Sequence, residues 1–371
     1  SELGRLYCYY SGFFGLYISL YSGASTCNIY CSTCYIDSSC LYGAYGYNIT
    51  LVNCTNNAAT PVYNLTSGGR VKEAEFAASA SQNLIINGDF SVAQRGTSFT
   101  STTWRKNDDD SYLLDRWLLL SDGNDIVDVT QISGAFSRSR YALQAEVETA
   151  NKKFGFCQII EANTCIPLRG QKISVSVAAK TVSAKLIENI RVAVLEWTGT
   201  ADAVTSDVVS AWNAEGTNPT WATNWTALNV PMNLALSTSE QTFKVENLTV
   251  GASCNNLAVF VWVDDTDCAV DDILQLGEVQ LVRGAIAPEF VPRTFSDTLD
   301  QCLRYTLKSY LYEDVPGTNI SATFRGYGAY FTGPPTTGYI GYSQRFHRPM
   351  HHIPTAIFYD VLGNVGKCSV Y

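Results

Sequence analysis

Apolar and polar positions alternate with period two along much of the chain, and sustained helical spacing is absent. Ile173-Ser174-Val175-Ser176-Val177 alternates strictly. Phe243-Lys244-Val245, Leu257 to Val263, Val279-Gln280-Leu281-Val282 and part of Leu186 to Leu195 read as further strands. Loops rich in Gly, Asn, Asp, Ser and Thr separate them. This spacing predicts a β-sandwich of the jelly-roll kind over residues 83–296. The one helix-like patch inside it, Val204 to Ala214, is expected to be a loop insertion.

The flanks read differently. Between Arg5 and Arg70 the only charged residue is Asp37, and Tyr, Gly, Ser, Thr, Asn and Cys dominate. Leu16 to Tyr21 and Tyr47 to Val52 read as short strands there. A segment so poor in charge is expected to be covered by copies of itself or by another protein, so residues 1–82 are taken as an assembly region. Arg70 to Gln82, where charge, Ala and Glu return, is expected to be a short helix or linker. Residues 297–371 open with a predicted short helix, Asp297 to Tyr305. Aromatic strands and turns such as Gly333-Pro334-Pro335 follow, in a C-terminal β region expected to continue past Tyr371. The fold class is therefore mostly β, in three parts.

Charge and cysteine content sharpen this picture. Twenty-five Lys and Arg against thirty-four Asp and Glu give a net charge of −9, which disfavours a phosphate backbone as partner. The uncharged stretch Leu6 to Tyr21 is interrupted by Ser and Gly and is too short to span a bilayer, so no membrane insertion is expected. Twelve cysteines suit an oxidising, extracellular setting. Cys8, Cys27, Cys31, Cys34, Cys40 and Cys54 are expected to form disulfides, within or between subunits. Zinc at the C-x3-C-x2-C of Cys27, Cys31 and Cys34 is the alternative, disfavoured by the lack of a nearby His. Cys254 and Cys268 flank a strand and either bridge a loop or simply pack.

An ordered set of motifs carries more information. The central segment opens with Asn83-Leu84-Ile85-Ile86-Asn87-Gly88-Asp89-Phe90, followed by Leu114-Asp115-Arg116-Trp117 and by Phe156-Cys157-Gln158-Ile159-Ile160-Glu161. Leu168-Arg169-Gly170-Gln171-Lys172 comes next. The set closes with Leu276 to Gly284, Pro288-Glu289-Phe290, and Gln301-Cys302-Leu303-Arg304-Tyr305. This series, over roughly residues 83–360, resembles a module of bacteriophage tail-fibre and related virion appendage proteins. That module is in turn similar to the jelly-roll carbohydrate-binding modules of bacterial glycoside hydrolases.

The resemblance implies a structural, non-enzymatic virion protein, located in the particle and forming a homotrimer. Residues 1–82 would contact other virion proteins and the jelly roll a host-surface glycan. It also implies first and last strands lying side by side, often clamping a structural calcium. The matching acids are Asp89 with Asp271 or Asp272; the plainer reading makes Asp89 a turn cap and the other two a solvated loop. Two rival functions stay open: a decoration or cement protein whose jelly roll touches only neighbouring subunits, and the binding module of a secreted polysaccharide-degrading enzyme.

Sugar binding needs an aromatic face and flanking polar groups. Trp212, Trp221, Asn224 and Trp225, crowded in one insertion, are the first candidates, with Trp104 and Tyr112 beside them. The competing reading packs these rings onto the sandwich. His347, His351 and His352 suggest either a metal on a trimer axis or, as Pro349 favours, loop histidines at a subunit contact. No nucleophile elbow, zinc-protease or phosphate-loop motif occurs, and Asp108-Asp109-Asp110 reads as a solvated loop rather than a glycosidase pair.

Overall fold

The computed structural model describes residues 82–182, 187–263, 268–319, 346 and 348–366, and the backbone of short strands between Leu6 and Glu73. The chain divides into two units, Ser1–Gln82 and Asn83–Tyr371.

The second unit is built on nine longer strands: β1 (Leu118–Ser121), β2 (Val127–Ser133), β3 (Tyr141–Val147), β4 (Phe154–Ile160), β5 (Lys172–Thr181), β6 (Asn189–Trp197), β7 (Gln241–Thr249), β8 (Asn256–Val263) and β9 (Ile273–Arg283). One sheet runs β1-β4-β8-β6, with Ser111–Tyr112 beside β1 and Trp225–Ala227 beside β6. The other runs β7-β5-β9-β3-β2, with Ser98–Phe99 beside β2. The ladders within both sheets are antiparallel. Each strand found in the alternation pattern is present here, and β6 starts three residues later than the sequence suggested.

Between the sheets lies one apolar core. Phe154, Phe156, Val192, Val194, Val259, Val261 and Trp117 meet Val129, Leu143, Val175, Val177, Leu276 and Leu281 in it. The first sheet is unusual in its second face. Every residue of β4 and β8 is buried. Their other side chains, Cys157, Ile159, Ala258, Phe260 and Trp262, join Leu118, Leu120, Ala193, Leu195 and Trp197 in a separate apolar cluster on the outer face.

The opening segment closes the sandwich, as the resemblance implies. Leu84 N donates to Leu281 O (2.8 Å) and Val279 N to Gly88 O (2.9 Å), so residues 84–88 run antiparallel along β9. Asn83 reinforces the seam, donating from Nδ2 to Val279 O and accepting Leu281 N, both at 3.0 Å. The bend after this segment is made by Asn87 (φ 59°) and Phe90 (φ 53°), not by Gly88. Gly88 serves a different need: a Cβ there would collide with the Val279 carbonyl. The helix expected from Asp297 spans Phe295–Cys302, with Thr294 as its N-cap: Asp297 N donates to Thr294 Oγ1 at 3.2 Å. It belongs to the same unit as the sandwich. Beyond Cys302 the described residues form one isolated bridge, Tyr359 with Val365.

The first unit has a different logic, that of parallel strands. Leu6–Cys8, Cys27–Ser32, Tyr47–Val52 and Arg70–Glu73 stack in register, pairing Cys8 with Cys31, Cys31 with Leu51 and Leu51 with Glu73. Those steps are 31 − 8 = 23, 51 − 31 = 20 and 73 − 51 = 22 residues. Two further parallel pairs, Tyr35–Ile36 with Thr55–Asn56 and Leu41–Ala44 with Tyr63–Thr66, keep the same spacing. A strand recurring each twenty-odd residues in three parallel stacks is the geometry of a β-solenoid. Tyr47–Val52 is a strand as expected; in the segment expected as a helix or linker, Arg70–Glu73 is a further rung and residues 74–81 lie outside the described residues. The Leu16 to Tyr21 strand, and Cys34, Cys40 and Cys54, lie outside the described residues. Among the described residues no helix is long and apolar enough to cross a membrane.

Gly88→Ala should destabilise the second unit by about 1–3 kcal/mol, because a rigid carbonyl has to move to admit the methyl. Denaturant unfolding of the purified chain measures this, and an unchanged midpoint would contradict the seam.

Candidate functional site

The quoted motifs converge on structural work. Asn87 is buried; its amide donates to Val92 O and Asp115 O and accepts Val92 N, each at 2.9 Å. Asp115 in turn accepts Gln94 N (2.6 Å) and Gln94 Nε2 (2.7 Å), and Trp117 Nε1 donates to Asn87 O (2.9 Å). Phe90 and Trp117 pack with ring centroids 5.0 Å apart. The opening turn and the Asp-Arg-Trp turn are thus one hydrogen-bonded block.

Its neighbour, Arg116, is buried with φ 74° and lies over the Tyr305 ring at 3.6 Å. Tyr305 donates its hydroxyl to Glu161, and Arg304 grips both Glu161 oxygens, at 2.8 and 2.9 Å. Burial alone would raise the Glu161 carboxyl, but the hydrogen bonds from Arg304 and Tyr305 hold it down to about 2. His351 Nδ1 stands 3.3 Å from Glu161 Oε1, yet burial outweighs that carboxylate and lowers the imidazole below its usual range. The contact near pH 7 therefore joins an uncharged imidazole to a carboxylate and is not an ion pair. This latch pins the residues after the helix to the end of β4 and leaves a cavity of about 190 Å³ beside Arg116, Gln158 and Gln301. No metal-binding group of three or more His, Cys, Asp or Glu occurs among the described residues, and His347 lies outside them.

The tryptophan insertion does not form an open sugar platform. Trp221 sits edge-on against Phe260 (6.4 Å) and Trp262 (5.8 Å), Trp212 against Phe260 (6.0 Å), and Trp225 is buried against Trp197 (5.2 Å). Tyr112 joins the same cluster. Asn224 is an exposed turn residue with φ 69° whose carbonyl accepts Thr198 N at 3.1 Å. Trp104 stands apart, 39% exposed, edge-on to Tyr359 at 6.2 Å. The six candidates do not share one surface. The insertion is a lid on the outer face of the first sheet, carrying one small hairpin, Val209–Ala211 with Thr220–Trp221.

A cleft that sequence reasoning missed lies elsewhere. About 480 Å³ in volume, it is lined by Tyr141, Phe295 and Tyr312 together with Asp89, Gln131 and Arg140. Phe295 and Tyr312 meet edge-on at 5.3 Å, and Arg140 covers the Tyr141 ring at 5.2 Å. Tyr312 Oη accepts Ala93 N at 2.8 Å, which fixes that ring against the opening turn. Asp89 Oδ1 accepts Ser91 Oγ at 3.0 Å, and its Oδ2 takes no hydrogen bond among the described residues. Aromatic faces beside a carboxylate, an amide and a guanidinium are the groups that hold a polyhydroxylated ligand. Five separate chain segments supply them, so no local motif announces the site.

The acids proposed for calcium are not brought together. Gly88, next to Asp89, pairs with Val279, whereas Asp272 precedes β9, seven residues or roughly 23 Å of strand away. Asp272 Oδ2 caps its own turn, accepting Ala269 N at 2.9 Å, and Asp271 makes that turn with φ 68°. Cys254 and Cys268 are buried thiols rather than a bridge. Cys254 donates to Asn256 O at 3.2 Å, and burial pushes its thiol up to about 12. Burial likewise raises the thiols of Cys157, Cys165 and Cys302.

No protein-family profile and no curated protein matches this chain. Solved structures that resemble it include a carbohydrate-binding module, TmCBM61, in complex with β-1,4-galactotriose. That match has 12% identity and a TM-score of 0.31, and covers 55% of this chain and 100% of that one. The CBM22-1 xylan-binding domain of Paenibacillus barcinonensis Xyn10C gives 12% identity, a TM-score of 0.33, and coverage of 56% and 97%. The enzymatically active domain of bacteriophage CBA120 tailspike protein 4 gives 13%, 0.35, 70% and 35%, so this chain spans about a third of it.

Trp221→Ala should cost about 2–4 kcal/mol, since it empties the centre of the lid; a melting curve tests it, and an unaltered midpoint would mean the ring is not packed. Glu161→Gln should loosen the C-terminal latch by about 1.5–3 kcal/mol through lost charge-assisted bonds. A carboxylate held low stabilises the fold above its ordinary range near ~4.3 and loses that contribution as pH falls toward about 2. Hydrogen exchange across residues 303–312 should therefore stay slow at pH 5 and accelerate below pH ~4 in the wild type, and be fast at both in the variant.

Proposed function

We propose that the chain is a non-catalytic glycan-binding protein of a virion appendage, with the cleft at Tyr141, Phe295 and Tyr312 as its glycan site. The observation that carries this reading is the cleft itself: three aromatic rings stand next to Asp89, Gln131 and Arg140 in a space large enough for one or two sugar rings. The cleft has a single carboxylate among its lining residues, Asp89, whereas glycoside hydrolysis generally uses two flanking carboxyl groups. The virion setting rests on the ordered motif set, whose members meet in the opening block and the latch. In this reading residues 1–82 join the protein to other virion proteins, three copies assemble, and the cysteines of the first unit pair in the extracellular particle.

The second reading, a cement protein, has its own support. Ile353, Ile357, Phe358, Leu362 and Val365 are exposed along the C-terminal segment, an apolar run suited to a neighbouring subunit.

A glycan array probed with the full chain separates the two. Binding is expected, and Tyr141→Ala or Arg140→Ala should weaken it by about 1–3 kcal/mol without moving the melting temperature. Trp212→Ala should lower stability and leave affinity unchanged. Array-wide silence, or loss of binding in Trp212→Ala alone, would sink the cleft assignment.

A further inference from the structure

Asn107 is fully buried, and its side-chain amide is aimed into a group of oxygens at the open end of the β2–β3 hairpin. Its Nδ2 lies 2.9 Å from Asp125 Oδ1, 2.9 Å from Asp128 Oδ1 and 2.9 Å from Val127 O. An amide nitrogen has two hydrogens, so one of these three acceptors receives none. The acceptor atom of the same amide, Oδ1, is buried with no hydrogen-bond partner. The polar capacity of this side chain is thus overdrawn at one end and unspent at the other, an arrangement that native interiors seldom keep.

The surroundings add to the demand for positive charge. Asp128 on β2 stands directly opposite Glu146 on β3, a like-charge cross-strand pair. Turned half a rotation, the Asn107 amide would present Oδ1 to the same three oxygens. Oδ1 would then stand where Nδ2 does, 2.9 Å from each of the three, a spacing that neighbouring ligands have around an ion held at roughly 2.3–2.6 Å.

We propose that Asn107, Asp125, Asp128 and the Val127 carbonyl form a site for a hard divalent cation of the calcium class, tying the loop at Asn107 to β2. It does not use Asp89, Asp271 or Asp272 as ligands, and it shares no lining residue with the glycan cleft. Water would complete the coordination.

The test uses the full chain stripped with a chelator, titrated calorimetrically with calcium chloride and, separately, magnesium chloride, alongside thermal melts. Saturable calcium binding and a rise in melting temperature are expected. Asp125→Asn and Asp128→Asn should each weaken calcium about 10–100-fold or more. Asp128→Asn should also melt no lower than the wild type without calcium, because a repulsive pair is gone. Asp89→Asn and Asp272→Asn should bind as the wild type does. Asn107→Asp adds a ligand oxygen and should tighten binding, which tests the site even where a carboxamide variant does not fold. An absent calcium response in the wild type overturns the proposal. So does a response that survives Asp125→Asn and Asp128→Asn, or one lost in Asp272→Asn.

Discussion

One sheet of the sandwich is apolar on both faces, and that constraint organises the molecule. β4 and β8 place Phe156 and Val261 toward the second sheet, and Cys157, Phe260 and Trp262 away from it. A sheet of this kind must be covered twice, because each bare large side chain would cost roughly 1.5–3 kcal/mol in water. The second sheet is one cover. The insertion between β6 and β7, with Trp212, Trp221 and Trp225, is the other. Trp225 is buried there, and Trp212 and Trp221 stay partly exposed while packing against the sheet. Tyr141, Phe295 and Tyr312 line a cleft elsewhere, beside the opening turn and the helix.

The motifs owe their recognisable form to buried polar geometry. Asn87 needs both its donors and its acceptor, Asp115 both its oxygens, and Glu161 an arginine and a tyrosine together. A buried polar group left unmatched costs about 1–3 kcal/mol, so such residues tolerate few substitutions. They mark where three distant segments are held together. The cleft borrows its rigidity from them: Tyr312 is hydrogen-bonded to the opening turn, and Phe295 begins the helix that the latch secures.

Much of the second unit was legible because alternation reports a half-buried strand directly. Ile173 to Val177 and Val279 to Val282 fall inside β5 and β9, and the pairing of the opening segment with β9 is what the family resemblance implied. For the lid, the sequence left two readings open for a physical reason. Sugar-facing and sheet-facing tryptophans have the same local sequence, and the deciding signal lay in β8, whose unbroken Leu-Ala-Val-Phe-Val-Trp-Val run means burial on both sides. The solenoid spacing in residues 6–73 was hidden by low contrast: with Asp37 the only charge between Arg5 and Arg70, polarity there barely oscillates. The cleft and the cation site had no linear signature, since Tyr141 and Tyr312, or Asn107 and Asp128, become neighbours only through the fold.

The cysteines of the sandwich are sealed in its layers, and burial holds the thiols of Cys157, Cys165, Cys254 and Cys302 protonated far above neutral pH. Since the thiolate is the reactive form, oxidants and alkylating reagents find nothing to attack while the layers stay closed. Chemistry at these sulfurs is timed by opening of the protein. A protein built this way passes through changing redox surroundings without scrambling its bonds, and its thiols act as a clock of its integrity.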